Sequence, residues 1–164
     1  MTLQDELDHK DQWKKLSQQE LDEVLDKHEK FVNNQSDGER AQLGMHDLSY
    51  LDMAGRNLSR AELTGGILNH CNLEGAKMDD VILFAADLRF TNMVDAQLNH
   101  ADLRGACLPG ANLSGAMMND VDMRDGVLLK SAAEGGDLTP IVLIDAPDAA
   151  DAKRRLDGDR ARID

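Results

Sequence analysis

The sequence predicts an all-β solenoid, and three observations carry that expectation. Every fifth residue from Leu43 to Leu128 is Leu or Met, eighteen in succession with no slip of phase, as in Leu58, Leu63, Leu68, Leu73 and Met78. The residue two places earlier is small along most of the run: Ala61, Gly66, Cys71, Ala76, Ala86, Thr91, Ala96, Ala101, Ala106, Ala111 and Ala116, with Val81 and Val121 the larger members. The other three positions are mostly polar or glycine, as in Ala101-Asp102-Leu103-Arg104-Gly105 and Ala111-Asn112-Leu113-Ser114-Gly115.

A period of five fits neither common element. Helices repeat near 3.6 residues and strands at 2. One long helix would scatter these leucines over every face, and one flat strand would alternate them. The pattern closes only when each five-residue unit makes the same bend, so that every central Leu or Met turns to a common axis. One small and one large inward residue per unit then describe a narrow, filled bore. Fixed short periods of this kind mark repeat architectures, in which each layer touches only its neighbours.

The recurring Ala-Asp/Asn-Leu-X-X unit resembles the signature of pentapeptide-repeat proteins, and the resemblance runs over residues 41–130. It implies a right-handed quadrilateral parallel β-helix with four units per coil, so that residues twenty apart stack. At a strand spacing of ~4.8 Å, such an array makes a rod roughly 20 Å tall. The expected organisation is an N-terminal lead and capping helix over residues 1–40, the β-helix over 41–130, and a C-terminal loop, edge strand and tail over 131–164.

Residues 1–16 are polar with isolated apolar points, and read as a short helix or a disordered lead. Ser17-Gln18-Gln19-Glu20 is a capping box, and Leu16 with Leu21 has the spacing of a hydrophobic staple. A helix from about Gln18 to Asn33 follows, with Leu21, Val24, Leu25, His28, Phe31 and Val32 on one face. Asn33, Asn34 and Gly38 end it. A solenoid exposes an apolar cross-section at each end unless something covers it, so this helix is the expected N-terminal α-helical cap. The first coil has His46, Leu51 and Arg56 at the small positions. An unpaired Arg inside a dry bore is too costly, so this coil is the expected mouth. The alternative role for the helix is to mediate a dimer. Beyond the array, Leu138–Asp145 returns to phase as an edge strand that tolerates Pro140. A short helix is expected near Ala149–Leu156, and Ala161-Arg162-Ile163-Asp164 matches the phase once more.

The net charge of −13 divides as −5, −5 and −3 over residues 1–40, 41–130 and 131–164. It argues against nonspecific binding to nucleic acid or anionic membranes. No run is long and apolar enough to span a bilayer, and the acidic N-terminus is unlike a signal peptide. Cys71 falls at an inward position and Cys107 at an outward one, on different faces, which speaks against a disulfide. Two unpaired thiols fit a reducing cytoplasm. The chain has no Gly-rich phosphate loop, no nucleophile elbow and no Cys or His pair at metal spacing. No catalytic residue, cofactor or metal is therefore expected.

Three sets of residues stand out. Arg60, Asp80, His100 and Asp120 form one outward column, read as a charge ladder in preference to an Asp-His-Asp metal set. Asp52, Asn72, Asn92 and Asn112 form a second column of structural amides. Ile67, Ile82, Phe84, Phe90 and Cys107 make an outward apolar patch of the kind that marks contact. Three occupants for the patch stand open: the chain's own Ile141–Ile144, a second copy, or a protein partner. The expected function is a non-enzymatic scaffold for an unidentified protein partner, able to pair with itself through a coil end or the patch. The alternative is a DNA mimic that binds a topoisomerase such as gyrase, as some pentapeptide-repeat proteins do. Those relatives favour Phe at central positions, where this chain has none, and Arg89, Arg104 and Arg124 interrupt its acid.

Overall fold

The computed structural model describes residues 13–129 and 162–163. Its main body winds in coils of twenty residues. Parallel bridges join Gln42 to Glu62, Glu62 to Ile82, Ile82 to Asp102 and Asp102 to Asp122. Three further columns start at Asp47, Asp52 and Asn57, giving four sides, here numbered one to four in chain order. Each side is a single rung wide. Leu63 N–H donates to Ile82 O at 2.8 Å, and Ile82 N–H to Ala61 O at 3.0 Å.

The bore is filled as the period demands. Every central residue from Leu43 to Met123 is at most 1% exposed, and so are the small residues from Ala61 to Val121 that carry an apolar side chain. Thr91 enters because its hydroxyl donates to Leu88 O at 2.8 Å. The Asp or Asn before the central residue also has a local cause. Its Oδ1 accepts the N–H two residues on, as in Asn112 to Ser114 at 3.0 Å, Asp102 to Arg104 at 3.1 Å and Asn72 to Glu74 at 3.2 Å. This is the Asx-turn bond, which ends one side and starts the corner. The corner residue, fifth in the unit, has positive φ at every unit from Met45 to Asp125. Glycine takes that conformation without strain, yet Tyr50 (66°), Arg60 (65°) and Phe90 (59°) take it too.

At the N-terminus the structure departs from the sequence reading. Residues 14–15 are neither helix nor lead: Lys14–Lys15 is a strand, β1. It pairs in parallel with β2, His46–Asp47, Lys14 opposite His46. The reason is edge satisfaction: Leu16 N–H donates to Asp47 O, and Trp13 Nε1–H to Gly65 O. Residues 1–12 lie outside the described residues.

Helix α1, Gln18–Val32, has both halves of the capping box at Ser17 and Glu20, and ends at Asn33. Leu21, Leu25 and His28 are its buried residues. It lies against the first coil and answers that coil's backbone side by side. On side three the Gln18 amide imitates a strand, donating to Asp52 O and accepting from Asp52 N–H, both at 2.8 Å. On side four, Glu29 Oε1 accepts from Asn57 N–H at 3.4 Å. Arg56, at the inward position of the first coil, is held by Glu29 at 2.8 Å, Asp26 at 2.7 Å and Asp22 at 3.4 Å. That satisfies the cation a dry bore could not have kept.

His28 ties α1 to both ends of the first coil. Ala41 N–H donates to Nδ1 at 2.9 Å, so the other nitrogen carries the proton and donates to Ser59 O at 2.9 Å. Burial lowers its pKa below 6.5, Ser59 O opposing and Arg60 and Arg40 adding to the shift. A lowered folded-state pKa means the unfolded chain binds the proton more tightly. Stability is therefore full above pH ~6.5 and falls as pH drops through that value towards the folded pKa. His28→Gln should lose part of this acid slope, read from urea midpoints between pH 7.5 and 5.

At the other end, β3, Val127–Leu129, pairs in parallel with β4, Arg162–Ile163. The in-phase terminal residues thus lie beside the last coil. The edge strand expected at Leu138–Asp145 and the helix at Ala149–Leu156 lie outside the described residues. No helix among the described residues is long and apolar enough to cross a membrane.

Candidate interaction surface

With the bore filled, chemistry is confined to the sides and corners. The corner between sides one and two carries Met45, Gly65, Phe84 and Ala85. The corner between sides two and three carries Tyr50, His70 and Phe90. Side two lies between them, its outward column running Asp47, Ile67, Asp87, Cys107.

The aromatic corner was legible and missed. Tyr50, His70 and Phe90 are twenty apart, and their rings stack: Tyr50 on His70 at 4.6 Å and 3°, His70 on Phe90 at 5.0 Å and 15°. Phe90 in turn lies against Gly110, where an added Cβ would strike the ring. The same column reading that picked out Arg60 finds this stack when moved two units back along the chain.

The apolar patch does not form one continuous surface. Ile67 and Cys107 share side two, but the Asp87 rung separates them. Ile82 lies on side one, on the far side of the Phe84 corner. Phe84 is 42% exposed and Arg104 stands over its ring at 5.3 Å. Phe90 belongs to the aromatic stack on the opposite edge of side two. The pieces are gathered around side two: of the five large hydrophobics exposed among the described residues, Met45, Tyr50, Phe84 and Phe90 border it, and Met117 alone sits on side four.

The expected charge ladder is mostly not a ladder. His100 Nδ1 and Asp120 Oδ2 are 3.8 Å apart, both more than half exposed. Arg60 instead lies over the Phe31 ring of α1 at 4.9 Å. The four residues are corner residues with positive φ. Among the described residues no group of three or more His, Cys, Asp and Glu is placed to hold a metal ion. The amide column is structural, as the Asn92 Nδ2–H bond to Asn72 Oδ1 at 3.2 Å shows.

Charge is sorted by side. On side two, Asp47 is 3.9 Å from Lys15, and Asp87 is held by Arg89 at 2.7 Å. On side one, Asp102 pairs with Arg104 at 2.8 Å and Asp122 with Arg124 at 2.6 Å. Each Arg follows its Asp by two residues, and the side-chain hydrogen bond to Arg104 holds the Asp102 carboxyl below its ordinary pKa. Sides three and four with their corners instead carry Asp52, Glu74, Asp79, Asp80, Asp95 and Asp120 against Lys77, Arg60 and Arg56, the last of these engaged by the acids of α1. Neither Cys71 nor Cys107 is in a disulfide among the described residues. The buried Cys71 thiol donates to Leu48 O at 2.9 Å, and burial pushes its pKa up to about 12.

Residues 57–83 and 82–120 match the family model described as pentapeptide repeats, in eight copies. Among solved structures, the chain is similar to the pentapeptide repeat protein Rfr23 from the cyanobacterium Cyanothece 51142. The two share 31% identity over 53% of this chain and 60% of that one, with a TM-score of 0.52. This chain therefore spans 60% of the length of the Rfr23 chain it matches. It is also similar to QnrB1, a plasmid-mediated fluoroquinolone resistance protein, at 20% identity over 73% of this chain and 68% of that one, TM-score 0.35. HetL, involved in heterocyst differentiation regulation in Nostoc sp. strain PCC 7120, gives 18% identity over 66% and 77%, TM-score 0.25. No curated protein matches this chain. The family match and the Rfr23 likeness imply that the four bridge columns form a right-handed quadrilateral β-helix.

Proposed function

We propose, from the premise that this chain carries a pentapeptide-repeat array over residues 57–120, that it is a non-enzymatic scaffold acting on a protein partner, with side two as its contact face. The supporting observation is the division between inside and outside. The bore is closed by Leu, Met and Ala, and four of the five exposed large apolar side chains among the described residues border one side. Exposed apolar side chains gathered around one face mark interaction sites, and aromatic residues are the usual anchors. In this reading α1 and β1 are the cap over the N-terminal end of the array, residues 41–130 the rod, and residues 131–164 a C-terminal loop, edge strand and tail.

The scaffold reading is tested by affinity capture with the wild-type chain and Phe84→Asp as paired baits. One specific protein retained by wild type and lost from Phe84→Asp supports it. Equal capture by both baits removes side two from the contact. Duplex DNA mimicry is the second reading, and the charge sorting weighs against it. A duplex carries phosphate charge all round its length, whereas here the acids of sides one and two are largely paired with Arg or Lys. No inhibition is expected when the chain is added to a gyrase supercoiling assay; inhibition near stoichiometric concentration would reverse the preference.

A further inference from the structure

We propose that side three, with the aromatic corner along its edge, is the docking strip for an arginine-bearing segment of a partner protein. The proposal rests on the scaffold reading and narrows it by naming the chemistry of the partner.

The aromatic corner supplies an open ring face. Tyr50, His70 and Phe90 stack along the rod at 4.6 and 5.0 Å. Both faces of His70 are therefore covered, and Phe90 lies between His70 and Gly110. Tyr50 has one face left over, and at 72% it is the most exposed of the large hydrophobics among the described residues. An open tyrosine face takes either an apolar group or a cation.

Charge decides between them. Side three consists of residues 51–55, 71–75, 91–95 and 111–115. They include Asp52, Glu74 and Asp95, all exposed, and no Lys or Arg. Side one answers Asp102 and Asp122 with Arg104 and Arg124, and side two answers Asp47 and Asp87 with Lys15 and Arg89. Side three has no base of its own. At its N-terminal foot it meets α1 at a cavity of about 310 Å³, lined by Gln18, Asp22, Asp52, Ala54 and Arg56. Arg56 is already held there by Asp22, Asp26 and Glu29, so with Asp52 that end carries four carboxylates to one guanidinium. Asp52 follows Tyr50 by two residues, which places the open ring and the acidic cavity at the same end of the strip.

A guanidinium suits this strip better than an ammonium. It is planar and weakly hydrated, so it stacks on a ring while its edge donates to carboxylates. Anionic partners are repelled by the same acids. Binding should weaken as salt rises, because these carboxylates are exposed and screened.

The test is an NMR titration of the full chain with three peptides of alternating residues: Arg-Gly, Lys-Gly and Glu-Gly. The Arg-Gly peptide should shift amides of side three and of Tyr50, and bind about fivefold more tightly than Lys-Gly. Glu-Gly should not bind. Tyr50→Leu should abolish the preference for Arg over Lys. Asp52→Asn and Glu74→Gln should each lower affinity about threefold, while Asp80→Asn, which removes the same charge at the corner between sides four and one, should leave it unchanged. Asp52→Asn keeps the Oδ1 that accepts Ala54 N–H, and Glu74→Gln is isosteric, so these two carry the test should Tyr50→Leu not fold by circular dichroism. Absence of Arg-Gly binding overturns the proposal. So does equal affinity for Arg-Gly and Lys-Gly with equal loss in Asp80→Asn, which is charge attraction alone. Shifts confined to side two overturn the placement on side three. None of these results decides the scaffold reading, which stands or falls on capture by the wild-type and Phe84→Asp baits.

Discussion

Ala96→Leu is expected to lower the melting temperature about as much as Leu98→Ala. Both residues are fully buried in the bore, but the two changes fail for opposite reasons. Leu98→Ala leaves a cavity lined by neighbours that the coil backbone holds in place, a loss of about 2–5 kcal/mol. Ala96→Leu adds volume to a column that has none to give. Its vertical neighbours, twenty residues away, are Ala76 and Ala116, both fully buried. The column beside it, Ala61, Val81, Ala101 and Val121, alternates small with large and shows how much room a Val already needs. Overpacking of this kind costs roughly 1–3 kcal/mol. At about 4 °C per kcal/mol for a body of this size, each variant should melt roughly 8–12 °C below wild type. A near-wild-type melting temperature for Ala96→Leu would mean that the bore can dilate, which a closed coil ladder forbids.

Arg56→Met should loosen α1 from the first coil while leaving the later coils folded. The methionine keeps the apolar stem and removes the cation that Glu29, Asp26 and Asp22 share. Arg56 is 23% exposed and Glu29 36%, so these bonds are only partly screened. Losing a charge-assisted bond at such a site costs about 1.5–3 kcal/mol. Amides of α1 should then exchange roughly 30-fold faster, a ratio equal to ~2 kcal/mol, with amides of the coil around Leu98 unchanged. Adding Glu29→Gln and Asp26→Asn to Arg56→Met should recover part of the loss, because it removes the acids left facing an empty position. Unchanged exchange in Arg56→Met would mean that Leu21, Leu25 and His28 hold the helix alone.

Much of this fold was legible because the constraint is local and repeated. The Leu or Met at every fifth position, the small residue two before it and the Asp or Asn between them each answer to a five-residue bend, and a defect in one unit would have broken the phase. The capping box at Ser17 and Glu20 is likewise a contact over three residues. Arg56 at an inward position called for partners because no buried cation survives alone, and Glu29, Asp26 and Asp22 supply them. What stayed hidden is longer in reach. β1 forms because Asp47 has a carbonyl to satisfy thirty-one residues after Leu16, and Lys14 and Lys15 have no strand signature of their own.

The candidate surface was read less well, for a related reason. None of Ile67, Ile82, Phe84, Phe90 and Cys107 is buried in the bore. Which of them meet depends on how corner side chains leave the rod. Arg60 illustrates the difficulty: its column suggested Asp80 as partner, while the structure sets its guanidinium over Phe31 of α1. The sequence alone determined the five-residue bend and the filled bore, because burial and backbone closure act on every unit alike; the twenty-residue advance came only with the resemblance to pentapeptide-repeat proteins. Only the tertiary structure decided which side is neutral, which corner is aromatic and which residues bond the helix to the first coil, because these depend on contacts between residues that no short period relates.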